Sequence, residues 1–373
     1  MKPPTITYLT DIYFELGALG ALPDLLQKCS VKRPLVVTDK GLTTMGFTLS
    51  LAVSIGAVFD EIETNPTEAS VLSGLAMYRE NQCDGLVALG GGSVMDCAKC
   101  IALLVHHPQP LREYAFLNGG LPKITDRKPP VIAIPTTAGT GSEVGRAALI
   151  TMSTGRKMAF LSPRLIPTAV ICDPTLTLNL PMGLTAGTGM DAITHCVETF
   201  CSPRFNPVAD AIALDGLKRG YSNIQAAVSD GSDIGVRSEM MMAALQGGLS
   251  FQKGLGMVHS LSHPLGGLTA KRPHHGTLNA IFLPHVLRFN MDACREQLDA
   301  IARSLGVDSR TQLPEVFESL NTSLAIPTRL RDLNLAMREL DGMAELAIQD
   351  HCSITNPRKM TLGDCQRLYE AAF

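Results

Sequence analysis

Gly85-Leu86-Val87-Ala88-Leu89-Gly90-Gly91-Gly92-Ser93 is the stretch that decides the fold. Five residues rich in Leu and Val read as a buried strand, and the strand runs without a spacer into three glycines and a serine. A glycine run at that point lets backbone approach a ligand closely. A helix that follows it offers unpaired N–H groups and the positive end of its dipole to phosphate. The spacing differs from G-x-G-x-x-G, so this is not the usual dinucleotide fingerprint.

Upstream, Pro34-Leu35-Val36-Val37-Thr38-Asp39 reads as a buried strand followed by a helix-like segment over Gly41 to Ile55. Ala57-Val58-Phe59 starts a further strand. A helix then opens near Asn65-Pro66-Thr67, with Asn65 or Thr67 supplying the N-cap oxygen, and runs towards Gln82. Downstream, Pro130 to Pro135 is another strand, Ala147 to Leu161 a hairpin about Ser153-Thr154-Gly155, and Ala169 to Cys172 a last strand. Short strands alternating with helices predict a mostly parallel sheet covered on both faces. After Pro181 the pattern becomes helical: Leu184–Phe200, Pro207–Val228, Gly235–Leu249 and more beyond. The expected organisation is an α/β domain over residues 1–180 and an all-helical domain over 181–373, which suits a chain of 373 residues.

A second loop also follows a strand: Pro135-Thr136-Thr137-Ala138-Gly139-Thr140-Gly141-Ser142-Glu143, dense in small hydroxyl donors. Two such loops at the ends of neighbouring strands are what a dinucleotide lying across the carboxyl edge of the sheet requires. Asp39 ends the first strand. Its carboxylate would accept from a ribose 2′-OH and repel a 2′-phosphate, which favours NAD over NADP; equally, it would cap the next helix. Cys97-Ala98-Lys99-Cys100 has C-x-x-C spacing but falls about one turn into the helix after the glycines, where small residues pack on the sheet.

In the helical half, Asp191 and His195 are four apart and share a helix face, as do His259 and His263; His274-His275 follows. Pro264 disfavours helical geometry at His263, which makes the second pair the weaker one. One carboxylate with three imidazoles suits a borderline divalent ion, Fe²⁺ or Zn²⁺.

Taken together, Gly90 to Ser93 with Asp96, Pro135 to Val144, Thr188-Gly189-Met190-Asp191-Ala192 with His195, His259-Ser260-Leu261-Ser262-His263-Pro264, and His275-Gly276 with Asn279-Ala280 resemble the iron-containing alcohol dehydrogenases. The likeness spans nearly the whole chain. It implies a Rossmann-like NAD-binding domain, a helical metal-binding domain as in dehydroquinate synthase-like folds, and a cleft between them. It also implies that Asp191, His195, His259 and His275 hold the metal, with His275 preferred to His274 because it directly precedes the family's glycine. His263 would lie beside the ion and relay a proton. Asp39, Asn65, Gly91, Gly92, Ser93, Thr136, Thr137, Thr140, Ser142 and Lys157 match the family's NAD-touching positions. Within the family the chain resembles bacterial dehydrogenases of 4-hydroxybutyrate, through Phe205-Asn206-Pro207 with Ala213 to Leu217, Phe251 to Gly256, His274 to Ala280, and Asp350-His351-Cys352 with Thr355-Asn356-Pro357. The implied substrate is a small primary alcohol or aldehyde, 4-hydroxybutyrate and succinate semialdehyde first, with another short aldehyde or diol of the lactaldehyde type as the alternative within the family. A carboxylate-bearing one needs a cation, with Arg146 and Lys253 the candidates.

Two competing readings remain. A lyase on the same scaffold would act on a phosphorylated substrate and need basic residues around the metal, of which these segments have few. A non-catalytic NAD- or metal-binding regulator would show no turnover with any alcohol. The net charge of −3 and the lack of a Lys/Arg run give no reason to expect nucleic acid or an anionic membrane as a partner. No stretch approaches the ~20 apolar residues needed to span a bilayer, and Met1 to Asp11 has no apolar signal-peptide core. Ten scattered cysteines, often in apolar runs, read as reduced core residues of a cytoplasmic protein. The family usually forms dimers, so a homodimer is expected.

Overall fold

The computed structural model describes Tyr8 and residues 10–268 and 271–373. Residues 1–7 and 9, part of the N-terminal stretch read above, and residues 269 and 270 lie outside the described residues. The chain forms two compact units: Met1–Thr137 with Ser142–Leu178, and Ala138–Gly141 with Asn179–Phe373.

In the first unit, β1 (Asp11–Phe14), β2 (Pro34–Val37), β3 (Ala57–Phe59), β4 (Gly85–Gly90), β5 (Val131–Pro135) and β8 (Ala169–Cys172) form a parallel sheet in the order β1-β8-β5-β4-β2-β3. The central strands β2, β4, β5 and β8 are buried at every position, which is why they read as continuous apolar runs and not as alternation. α1 (Leu22–Lys28) packs Leu22, Leu25 and Leu26 against Val36, Val87, Ile132 and Ile171 of the sheet. α3 (Glu68–Glu80) and α4 (Gly92–His106) also belong to this unit. Gly74 of α3 is a close crossing, since a Cβ there would lie 2.4 Å from Ile101. Thr67 caps α3 by accepting from Ser70 N. β6 (Ala147–Thr151) and β7 (Lys157–Leu161) form the antiparallel hairpin.

Two local expectations differ. The helix expected over Gly41 to Ile55 is only α2 (Lys40–Thr44) plus a 3-10 turn at Leu49–Leu51. Gly46 takes a left-handed φ of 79° straight after α2, ending the helix. The edge strand β1, one exposed and three half-buried residues long, is too short to carry a periodic signal in the sequence.

The second unit is helical: α5 (Met182–Cys201), α6 (Pro207–Ser229), α7 (Ile234–Ser250), α8 (Met257–Gly266), α9 (His275–Asn290), α10 (Arg295–Leu305), α11 (Leu313–Ser323), α12 (Met343–Ile348) and α13 (Leu362–Ala372). α5 is buried along nearly its whole length and packs against α6, α7 and α9. The segment 138–141 joins this unit through backbone contact: a Cβ on Gly141 would meet Gly248 Cα of α7 at 2.4 Å. α8 continues through Pro264 to Gly266. Every residue of α8 except Pro264 is buried, and that packing outweighs the roughly 3 kcal/mol a helix-interior proline costs. No helix among the described residues is long and apolar enough to cross a membrane.

Candidate metal centre and cofactor loops

Asp191, His195 and Glu198 stand at i, i+4 and i+7 on α5, so one buried face carries two carboxylates and an imidazole. α8 brings His259 to that face. Asp191, His195 and His259 each place one ligand atom within 4.8 Å of the others. From Asp191 Oδ1, the Nε2 atoms of His259, His275 and His195 are 3.6, 3.7 and 3.8 Å away. His275 reaches the cluster because α9 begins hard against α5. A Cβ on Gly276 would fall 2.0 Å from Gly187 O, so only glycine permits that approach. His274 is turned to a different task, capping α9 with Nδ1 towards Thr277 N.

Electrostatics tie the group together. Burial works against ionised Asp191, but His195, His275 and His259 outweigh it and hold the carboxyl well below its usual range. Burial pushes His195 down to about 4, leaving a neutral ring with a free lone pair. Burial also opposes charge on His259, yet hydrogen bonds to Asp191 and Glu198 win and raise it to about 9. Asn279 Nδ2 stands 2.7 Å from Asp191 Oδ1, 3.1 Å from His275 Nε2 and 3.2 Å from His259 Nε2. One carboxylate and three imidazole nitrogens thus converge on one point, and all four offer lone pairs there once an ion displaces the His259 Nε2 proton. That donor chemistry fits a borderline divalent cation.

Glu198, which the i,i+4 spacing does not single out, completes the group. Its Oε2 is 2.6 Å from His259 Nδ1 and its Oε1 accepts Val258 N, so it orients the imidazole from behind. The signal was present: three residues after His195, it continues the Asp191–His195 face. His263 is buried beside the cluster, its ring nearly parallel to that of His275 with centroids 5.4 Å apart. Its Nδ1 lies 3.0 Å from Asp350 Oδ2.

In the first unit, Gly91 and Gly92 sit at the N-terminus of α4, and Ser93 is in its first turn. A Cβ on Gly91 would press to 3.3 Å on the Thr137 side chain. Thr136 N donates to Gly90 O, which joins the two loops at their roots. Asn65, at a left-handed φ of 59°, donates its N–H to Ser93 Oγ and accepts from Lys157 Nζ at 2.8 Å. Its Nδ2 is buried with no partner among the described residues, an orphan donor in a cradle of polar loops. Asp39 caps α2, accepting from Leu42 N, at the carboxyl end of β2. The Ser142 hydroxyl donates to Asp96 and accepts from Lys99 Nζ. Thr140 alone of this set belongs to the second unit.

Lys253 does not supply a free cation. Its Nζ is buried against the Asp210 carboxylate and Phe200 O. Cys97 and Cys100 are fully buried on α4 and burial raises both thiols, so the C-x-x-C spacing is core packing.

The two halves of the chain match two family descriptions: iron-containing alcohol dehydrogenase over residues 10–174, and the C-terminal region of the Fe-containing alcohol dehydrogenase family over 185–373. The chain belongs to the iron-containing alcohol dehydrogenase family. It is therefore an oxidoreductase of the alcohol dehydrogenase type. Among this family's members it is 47% identical to a 4-hydroxybutyrate dehydrogenase of Cupriavidus necator, over 98% of each chain. A crystal structure of 1,3-propanediol oxidoreductase superposes with a TM-score of 0.91 at 36% identity, covering 99% of this chain and 100% of the other. A sulfoacetaldehyde reductase from Bifidobacterium kashiwanohense, in complex with NAD⁺, gives 0.89 at 26% identity over 98% of both. The parallel sheet and the helical unit are the family's architecture.

Proposed function

We propose that this alcohol dehydrogenase interconverts 4-hydroxybutyrate and succinate semialdehyde, using NAD(H) and a divalent ion, Fe²⁺ or Zn²⁺. The observation that carries the metal reading is the convergence of Asp191, His195, His259 and His275 on one buried point. The substrate reading rests on the 47% identity to the Cupriavidus necator enzyme over nearly the full length of both chains.

Asp191, His195, His259 and His275 would hold the ion, with Glu198 fixing the tautomer and direction of His259. When bound, the ion supplies Lewis-acid assistance at the substrate oxygen. His263, set by Asp350, takes the hydroxyl proton and releases it towards solvent. On the cofactor side, the N–H groups of Gly91, Gly92 and Ser93 at the start of α4 receive the pyrophosphate. Thr136, Thr137 and Thr140 offer hydroxyls, and the orphan Asn65 Nδ2 offers a donor held in place by Lys157. Ser142 acts through the loop it braces, because its hydroxyl is already engaged. Asp39 accepts from the adenosine ribose. Arg146, half-buried beside β6, is the remaining cation proposed for the substrate carboxylate. A homodimer is the proposed assembly.

The test loads metal-free protein with Fe²⁺ or Zn²⁺ and follows NADH with 4-hydroxybutyrate, 1,3-propanediol and 1,2-propanediol. The expected result is a kcat/KM for 4-hydroxybutyrate at least ten times that for either diol. A tenfold preference for a neutral diol overturns the substrate. Absence of turnover with every alcohol, in protein that binds both ion and NAD, overturns the dehydrogenase reading.

A further inference from the structure

Beyond the centre just described, the helical unit holds a second cluster of ligand-type side chains. His263 of α8 meets Asp350, His351 and Cys352, which lie where a 3-10 turn (His351–Thr355) follows α12. One ligand atom from each of the four lies within 4.8 Å of the rest. Asp350 spans the two imidazoles, with Oδ2 3.0 Å from His263 Nδ1 and Oδ1 3.5 Å from His351 Nδ1. Cys352 Sγ is 3.5 Å from His351 Nε2. The two rings are nearly parallel, 9° apart with centroids at 5.6 Å. His263 and Cys352 are buried, while Asp350 and His351 keep partial exposure and leave a way in from solvent.

We infer that His263, Asp350, His351 and Cys352 form a second divalent-ion site, selective for thiophilic ions such as Zn²⁺ and Co²⁺. Two imidazoles, a carboxylate and a thiolate are a zinc ligand set. Bonds of about 2.0–2.3 Å in a tetrahedron put ligand atoms roughly 3.3–3.8 Å apart. The 3.5 Å between His351 Nδ1 and Asp350 Oδ1 lies in that range and the 3.0 Å between His263 Nδ1 and Asp350 Oδ2 is shorter, so closing on an ion takes one oxygen of Asp350 and one nitrogen of His351 and draws the widest pair in by up to about 1 Å. On binding, the Cys352 S–H bond breaks as the S–metal bond forms, and the proton leaves to solvent; the ion comes from solution and no electron moves. An ion there takes the His263 nitrogen that now meets Asp350, so a filled second site withdraws His263 from the proton transfer proposed above and is inhibitory.

The two sites are distinguishable because the Asp191 centre contains no sulfur. The experiment titrates metal-free full-length protein with Co²⁺ and records the near-ultraviolet sulfur-to-cobalt charge-transfer band together with the visible ligand-field bands. Wild type is expected to bind two equivalents, with the charge-transfer band present. Cys352→Ser should lose that band and keep one equivalent, and His351→Ala should weaken the second equivalent at least tenfold. His259→Ala, which removes the first site, should retain the band. A single equivalent without the band in wild type overturns the proposal, as does a band that survives Cys352→Ser. Both results leave the Asp191 centre standing, whereas loss of the visible bands attributable to it would count against that centre alone.

Discussion

Glu198 Oε2 stands 2.6 Å from His259 Nδ1, and His259 Nε2 faces Asp191 Oδ1 at 3.6 Å, so one imidazole is held between two buried carboxylates. Behind a ligand, such a carboxylate fixes the ring and raises its basicity. Glu198→Gln keeps the shape and removes the charge. We expect it to weaken divalent-ion binding 10–100-fold, measured by competition with a chelating dye on metal-free protein. Unchanged affinity would take Glu198 out of this role.

Asp39 has two tasks in one side chain. It caps α2 through Leu42 N, and it ends the strand where an adenosine ribose would lie. Asp39→Gly is expected to narrow the NAD:NADP preference at least tenfold, read from the two kcat/KM values, because the repulsion of a 2′-phosphate is gone. Glycine is itself a tolerated N-cap, so the stability loss should stay within a few tenths of a kcal/mol. A cofactor ratio that does not move assigns Asp39 to capping alone.

Lys99 is fully buried on α4, and four oxygens surround its Nζ: Ser142 O at 2.6 Å, Ser142 Oγ at 2.8 Å, Ala147 O at 2.8 Å and Gly145 O at 2.9 Å. Burial pushes its pKa down to about 8, which still leaves it charged at neutral pH. This ammonium ties the threonine-rich loop to the helix after the glycines. Lys99→Met strands those acceptors and Asp96, at an expected cost of about 3–5 kcal/mol in chemical denaturation. NADH binding, followed by its fluorescence, should weaken with it.

Glu143, buried next to Ser142, is raised from 4.5 to about 7, chiefly by burial. Between those pH values the folded chain keeps a proton on Glu143 that the unfolded chain has released. Stability contributed by this residue therefore falls as pH rises from 4.5 to 7, by up to about 3 kcal/mol. Glu143→Gln should flatten the stability–pH curve in that window. A slope equal to wild type would show that Glu143 titrates normally.

Much of the architecture was legible because burial on both faces leaves a strong mark. β2, β4, β5 and β8 stood out as unbroken apolar runs, and α5 to α7 as long helical patterns. What stays hidden is local and marginal: α2 stops at a left-handed glycine, and the edge strand β1 has only four residues, too few to show a period. Pro264 argued against a helix through His263, and the burial of α8 overrode it.

The chain alone determined which kinds of side chain are available and which share a helix face, because a fixed 3.6-residue period relates Asp191 to His195 and His259 to His263. Tertiary packing decided which of them meet. Gly276 against Gly187 carries His275, not His274, to Asp191; Asp210 claims Lys253; and α12 delivers Asp350 and its neighbours to His263 across 87 residues of chain. Local spacing is written in the backbone period, but long-range convergence depends on close contacts that no single segment contains.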